Sequence, residues 1–201
     1  TIPIYSIDVA YMVTSKTGYI KISRFAATTY DEYLEVFDKL RKQGMQQMII
    51  DLRGNGGGYL NTAVDIADEF LSSGKGIVYT IGKSRPRKDY KATQKGEFEN
   101  GKLVVLIDDG SASASEILAG ALQDNDRATI IGRRSFGKWL VQEQSEFSDS
   151  SAIRLTIARY YTPSGRSIQK SYKNGSEAYY GEVGERFKNG ELVSDGKNLS
   201  D

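Results

Sequence analysis

The chain has 201 residues, 39% hydrophobic and 10% aromatic, enough for one well-packed core and too few for two comfortable ones. Its 27 basic and 26 acidic residues leave a net charge of +1, so nothing in the balance draws it toward nucleic acid or anionic lipid. Cysteine and histidine are both absent, which excludes disulfides, thiolate nucleophiles, the commonest nitrogen ligand for metals and any Ser-His-Asp triad within this chain.

No run of about 18 apolar residues occurs, so no membrane-spanning helix is expected. With Thr1 rather than Met in first place, the expectation is a processed or excised piece of something longer, without a signal peptide. Strand and helix patterns alternate along the chain and predict an α/β architecture. Residues 5–13 and 18–25 alternate apolar with polar and read as half-buried strands. A helix is predicted from Thr29, with Glu32 completing a capping box and Tyr30, Leu34, Phe37 and Leu40 at helical spacing, until Gly44 stops it. Residues 45–54 read as a buried strand. A glycine loop, 54–58, then leads into a second helix with Val64, Ala67, Phe70 and Leu71 on one face.

Strand 76–82 is followed by a charged connection, 83–101, that contains Pro86 and reads as surface loop. Residues 102–110 form another apolar strand and deliver the chain to "SASASE", the start of a third helix. Residues 127–132 are short and β-like. In 151–161 the alternation places Ile153, Leu155 and Ile157 inward against Arg154, Thr156 and Arg159. From Gly165 onward apolar residues thin out, which predicts an irregular, lightly packed tail.

Ser113 and Glu116 form S-x-x-E ahead of Ile117, Leu118, Ala121 and Leu122, and on that pattern alone a helix cap is the favoured reading. The same junction also suits a nucleophile, because a helix N-terminus offers free N–H groups and positive potential beside an exposed hydroxyl. Without histidine the natural base is a lysine, whose amine can be activated by desolvation. Lys138, between Phe136 and Trp139, Leu140 and Val141, has the most apolar local sequence. Gln142 could reach its amine only across a helical turn, since in a strand the two would stand about 13 Å apart. The glycine loop lacks the last glycine of G-x-G-x-x-G, with Tyr59 in the way, and suits an oxyanion site better than a nucleotide. Asp51 and Arg53 read as local partners that fix this loop.

"DLRGNGGG", "SASASEI", "LQD", "SFGK" followed by "VQ", and "RYYTPSGRSIQ" together resemble the C-terminal processing peptidases, or tail-specific proteases, over about residues 4–170. The resemblance implies a crotonase/ClpP-like core of ββα units with a mixed sheet flanked by helices, spanning 1–170, and a polar extension over 171–201. It implies a serine endopeptidase with Ser113 as nucleophile, Lys138 as base, Gln142 orienting the base, and Ala114 with Gly57 or Gly58 as oxyanion donors. Glu116 and Asp124 match acidic positions that support activity, read here as structural first. No metal or organic cofactor is implied. The substrate implied is a polypeptide with an apolar C-terminus, and the location is extracytoplasmic. Family members carry a PDZ domain for which these residues leave no room, so the expectation is the core alone, with access regulated by a PDZ domain of the longer chain. Trp139 departs from the family's glycine at this position: an indole there would either shield the amine or obstruct the serine. Two other classes compete: a peptide-binding module of the same fold that does not cleave, and an acyl-CoA enzyme of crotonase type, in which Ser113 and Lys138 would have no job.

Overall fold

The computed structural model describes residues 4–93 and 96–192; the centre of the charged connection and the end of the C-terminal extension lie outside them. Two units are distinguished, residues 1–168 and 169–201.

The first unit is built on two sheets. In the larger, strands β1 (Ile7–Met12) and β2 (Thr17–Ile22) form an antiparallel pair, and β3 (Gln47–Asp51), β6 (Lys102–Ile107) and β7 (Thr129–Gly132) follow in parallel, in the order β1-β2-β3-β6-β7. Strand alternation sends Ile20, Ile22, Met48, Ile50, Leu103 and Val105 to one face. There they pack under helices α1 (Thr29–Lys42), α2 (Leu60–Asp68) and α3 (Ala114–Asp124), which contribute Tyr33, Phe37, Ile66, Ile117 and Leu118. The α/β class with a mixed sheet and flanking helices is thus as expected.

Three adjacent parallel strands matter most for the site. The carboxyl ends of β3, β6 and β7 lead respectively into the glycine loop, the serine turn and the lysine segment. Parallel neighbours end at the same edge, so three segments distant in sequence emerge side by side.

The smaller sheet is antiparallel, β5-β4-β9-β8, with β4 (Gly76–Gly82), β5 (Arg85–Lys91), β8 (Leu140–Glu146) and β9 (Ala152–Tyr161). Here the structure departs from the sequence reading. The charged connection is in part strand β5, paired along β4. It lacks an apolar alternation because it is a wet edge strand, where charges and Pro86 are tolerated and discourage further pairing. Ile153 and Leu155 are also not inward: they are 42% and 53% exposed, and the buried positions of β9 are Ala158 and Tyr160. Strand β4 pairs only with Arg159–Tyr161, so the outer half of the β8–β9 hairpin extends beyond the cover that would bury those side chains.

Helix α1 starts one residue earlier than the capping-box reading. Thr28 is the N-cap, and its hydroxyl donates to Glu32 at 2.8 Å, while the other Glu32 oxygen accepts from the Ser6 and Ile7 N–H groups. Thr29 is buried instead and its hydroxyl accepts from Ala26 N–H. In the second unit the predicted irregular tail contains α4 (Gly175–Lys188), where Tyr172 stacks on Tyr179 with centroids 4.1 Å apart and Lys170 pairs with Glu182. Aromatic stacking substitutes there for the aliphatic content that the sequence lacks. Among the described residues no helix is long and apolar enough to cross a membrane.

These burials have a direct consequence for stability. Ile153→Ser and Leu155→Ser are expected to move the melting midpoint by no more than a degree or two, whereas Ile50→Ala, at the centre of the larger sheet, is expected to cost about 2–5 kcal/mol in denaturant titrations.

Candidate active site

The three serines of the turn after β6 separate by burial and bonding. Ser111 is buried and its hydroxyl donates to Leu52 C=O at 2.8 Å while accepting from Asp108 N–H. Ser115 is buried and donates to Asn55 C=O at 2.9 Å. Both are structural fasteners between β3's end and the turn. Ser113, half-buried between them, is the N-cap of α3 and has φ 56°, ψ −112°. A non-glycine residue there stores roughly 1–3 kcal/mol of strain that the surroundings must hold.

What holds it is Glu116, only 3% exposed. One carboxylate oxygen accepts from Ser113 N–H at 2.8 Å, the capping-box contact, and from Lys138 N–H at 3.0 Å. The other accepts from Ser135 Oγ and Gly137 N–H, both at 2.7 Å. A buried carboxylate is costly unless its lone pairs are satisfied, and here four donors and a helix N-terminus do so. The result is that one side chain joins the serine turn to the segment carrying Lys138. Phe136 N–H adds a second tie, to Ser111 C=O at 2.9 Å.

Lys138 itself is half-buried, and the next residue, Trp139, is 1% exposed. The indole lies over Gly120 of α3, where an added Cβ would already be in contact with it at 3.6 Å. Trp139 therefore belongs to the core and does not stand in front of Ser113. Gln142 is not a helical turn from Lys138: it lies in β8, exposed, at a β-bulge where Val141 opposes Ala158 and Gln142 opposes Thr156. The unpaired residue of this bulge is Ile157 of β9, so β8 keeps its alternation and Gln142 shares the face of Leu140, opposite that of Val141.

The glycine loop meets the serine turn closely. A Cβ on Gly57, at φ 98°, would lie 2.7 Å from Ala112 O, 2.8 Å from Ser113 Cβ and 3.0 Å from Ala114 N. Only glycine permits that approach. At Gly58 a Cβ would be 2.0 Å from Phe25 O, because the loop pairs with Phe25 as a single parallel bridge. Ala114 is the first residue of α3, so its N–H has no partner inside the helix. Gly57, Gly58, Ser113 and Ala114 are thus brought together, with Lys138 joined to them through Glu116.

Two further carboxylates hold the surroundings. Asp51 is buried at the end of β3 and receives the Arg53 N–H, a forked pair of bonds from the Arg53 guanidinium, and the Tyr19 hydroxyl at 2.6 Å. Burial alone would raise its pKa, but the bonds from Arg53 and Tyr19 outweigh it and hold the carboxyl at about 2; the Tyr19 phenol is pushed up to about 12, by burial and by that same bond. Asp124, at the end of α3, accepts from Ser164 N–H at 2.9 Å and Oγ at 2.6 Å and pairs with Arg166. Burial opposes its ionisation, yet the bonds from Ser164, Thr162 and Arg166 keep its pKa below the ordinary value. It fastens the loop after β9. Two participants escaped the sequence reading: Ser135, visible only as part of "SFGK", and Asn55, visible only as the one non-glycine between Gly54 and Gly58.

Comparison with known proteins decides the family. The profile of Peptidase family S41 matches residues 16–175. The chain belongs to peptidase family S41. It is 45% identical over 153 residues to the carboxyl-terminal-processing protease of Synechocystis sp. (strain ATCC 27184 / PCC 6803 / Kazusa), covering 76% of this chain and 35% of that protein. It is 36% identical over 170 residues to the carboxy-terminal processing protease CtpA of Bacillus subtilis (strain 168), covering 85% and 36%. Among solved structures, a photosystem II D1 C-terminal processing protease superposes with a TM-score of 0.73 at 33% identity, covering 84% of this chain and 46% of that one. The chain thus spans about a third of the length of the curated relatives it matches.

The Asp51 network carries a pH signature. Its folded pKa is depressed from 3.8 to about 2, so its contribution to stability is complete above pH 4 and is lost as the pH falls through 2. In melting curves between pH 2 and 5, Asp51→Asn is expected to lie below wild type at pH 5 and to converge on it toward pH 2.

Proposed function

We propose that this chain is the catalytic core of a serine endopeptidase working through a Ser-Lys dyad. Lys138 in its uncharged form takes the proton of Ser113 as Oγ attacks a peptide carbonyl, forming the C–O bond of a tetrahedral intermediate. The resulting ammonium protonates the leaving amine as the C–N bond breaks. Water, deprotonated by the same lysine, then releases the acyl group and restores Ser113. The negative oxygen of each intermediate is received by the Ala114 N–H and an N–H of the glycine loop; each such donor is typically worth about 3 kcal/mol.

The observation that carries this reading is the strained, half-exposed Ser113, tied through one buried carboxylate to the backbone N–H of Lys138. A helix cap needs neither the strain nor the tie. Membership of family S41 and the kinship with processing proteases support it further. By the same kinship we propose polypeptides with apolar C-termini as substrates, an extracytoplasmic site of action, and a PDZ domain of a longer chain as the element that regulates access.

Labelling with a fluorophosphonate tests the assignment directly. Wild type is expected to react, Ser113→Ala not at all, and Lys138→Ala about 100-fold or more slowly. Ser111→Ala and Ser115→Ala are expected to keep the label. A folded wild type that never reacts would favour a non-cleaving peptide binder of this fold.

A further inference from the structure

We propose that Asn55 is the positioning residue of the oxyanion site, holding the glycine loop so that its Gly58 N–H faces the developing charge. This inference rests on the serine-hydrolase reading above and assigns a role within it. Asn55 is fully buried and every polar group it owns is engaged. Its Nδ2 donates to Ile22 C=O at 2.8 Å, and its Oδ1 accepts from Gly57 N–H at 2.9 Å. Its C=O accepts from Ala112 N–H at 3.0 Å and from Ser115 Oγ at 2.9 Å, and its own N–H donates to Leu52 C=O. The amide orientation is fixed by this pattern, since Ile22 offers only an acceptor and Gly57 only a donor. One residue thus knots the end of β2, the glycine loop and the serine turn.

The consequence concerns which N–H groups remain. Gly57 N–H is consumed by Asn55, so a developing oxyanion could claim it only by breaking a buried bond. On the Phe25 side of the loop, Gly57 C=O accepts from Phe25 N–H and Tyr59 N–H donates to Phe25 C=O. In an extended segment alternate peptide groups point to opposite sides, so the Gly58 N–H points away from Phe25. Among the described residues it makes no hydrogen bond. Asn55 holds Gly57 so close to the serine turn that a Cβ there would lie 2.8 Å from Ser113 Cβ and 3.0 Å from Ala114 N, which brings the neighbouring Gly58 N–H toward the orphan N–H of Ala114. An oxyanion donor must be oriented before the charge develops, and the Asn55 amide supplies that orientation.

The test combines kinetics with a readout on wild type. Active sites of wild type, Asn55→Ala and Asn55→Asp are titrated with a fluorophosphonate, and turnover of p-nitrophenyl acetate is expressed per titrated site. The expected result is a kcat per site roughly 10- to 100-fold lower in both variants, with KM within about twofold. A merely structural role would lower the number of titratable sites and leave kcat per site unchanged, and that outcome overturns the inference. Should neither variant fold, nuclear magnetic resonance of wild type decides. When a peptide aldehyde ending in alaninal adds to Ser113, the amide protons of Gly58 and Ala114 are expected to move downfield and that of Gly57 to stay. Movement of Gly57 in place of Gly58 overturns the proposal. A wild type that cannot be titrated at all removes the hydrolase reading, and this inference with it, whereas an active wild type with unaltered variants removes only the role of Asn55.

Discussion

A single buried carboxylate holds the functional end of the molecule together. Glu116 sits at the N-terminus of α3, where the helix dipole favours its charge, and its two oxygens take one donor from the serine turn and three from the segment 135–138. Without it the Gly137 N–H would be a buried orphan, at a cost of about 1–3 kcal/mol, and the half-buried donors of Ser113, Ser135 and Lys138 would lose their partner. The strained backbone of Ser113 persists because this net over-determines it. Asn55 does the equivalent work on the other flank, binding the glycine loop to the same turn.

The sheet explains why two such fasteners suffice. Strands β3, β6 and β7 lie next to one another in parallel, so the glycine loop, the serine turn and the lysine segment already emerge at one edge before any side chain contributes. Glu116 and Asn55 then only remove the remaining slack between neighbours. The core beneath, in which Trp139 packs over Gly120 as a large wedge against α3, gives the lysine segment a rigid floor.

Much of this was legible in the residues. The buried strands and the three helices of the larger layer show clear periodicity, and S-x-x-E ahead of an apolar run marks the start of α3. Choosing among Ser111, Ser113 and Ser115 needed either the resemblance or the coordinates, because the three differ in the partners of their hydroxyls and not in local pattern. Strand β5 was invisible to periodicity because an edge strand with both faces wet carries no alternation. Ile153 and Leu155 misled for the opposite reason: they alternate properly, but they lie in the outer half of the β8–β9 hairpin, beyond the stretch that β4 pairs. The roles of Asn55 and Ser135 depend on contacts across 33 and 19 residues of sequence, which no local rule encodes.

The central claim is that the Glu116 carboxylate joins the serine turn and the lysine segment into one cooperative unit. Amide hydrogen exchange of wild type and Glu116→Gln tests it most directly. The Ser113, Gly137 and Lys138 amides should be protected in wild type and should lose protection together in the variant, while amides at the centre of β3 keep theirs. If Gly137 and Lys138 exchange freely in wild type, or stay protected in Glu116→Gln, the carboxylate does not couple the two segments.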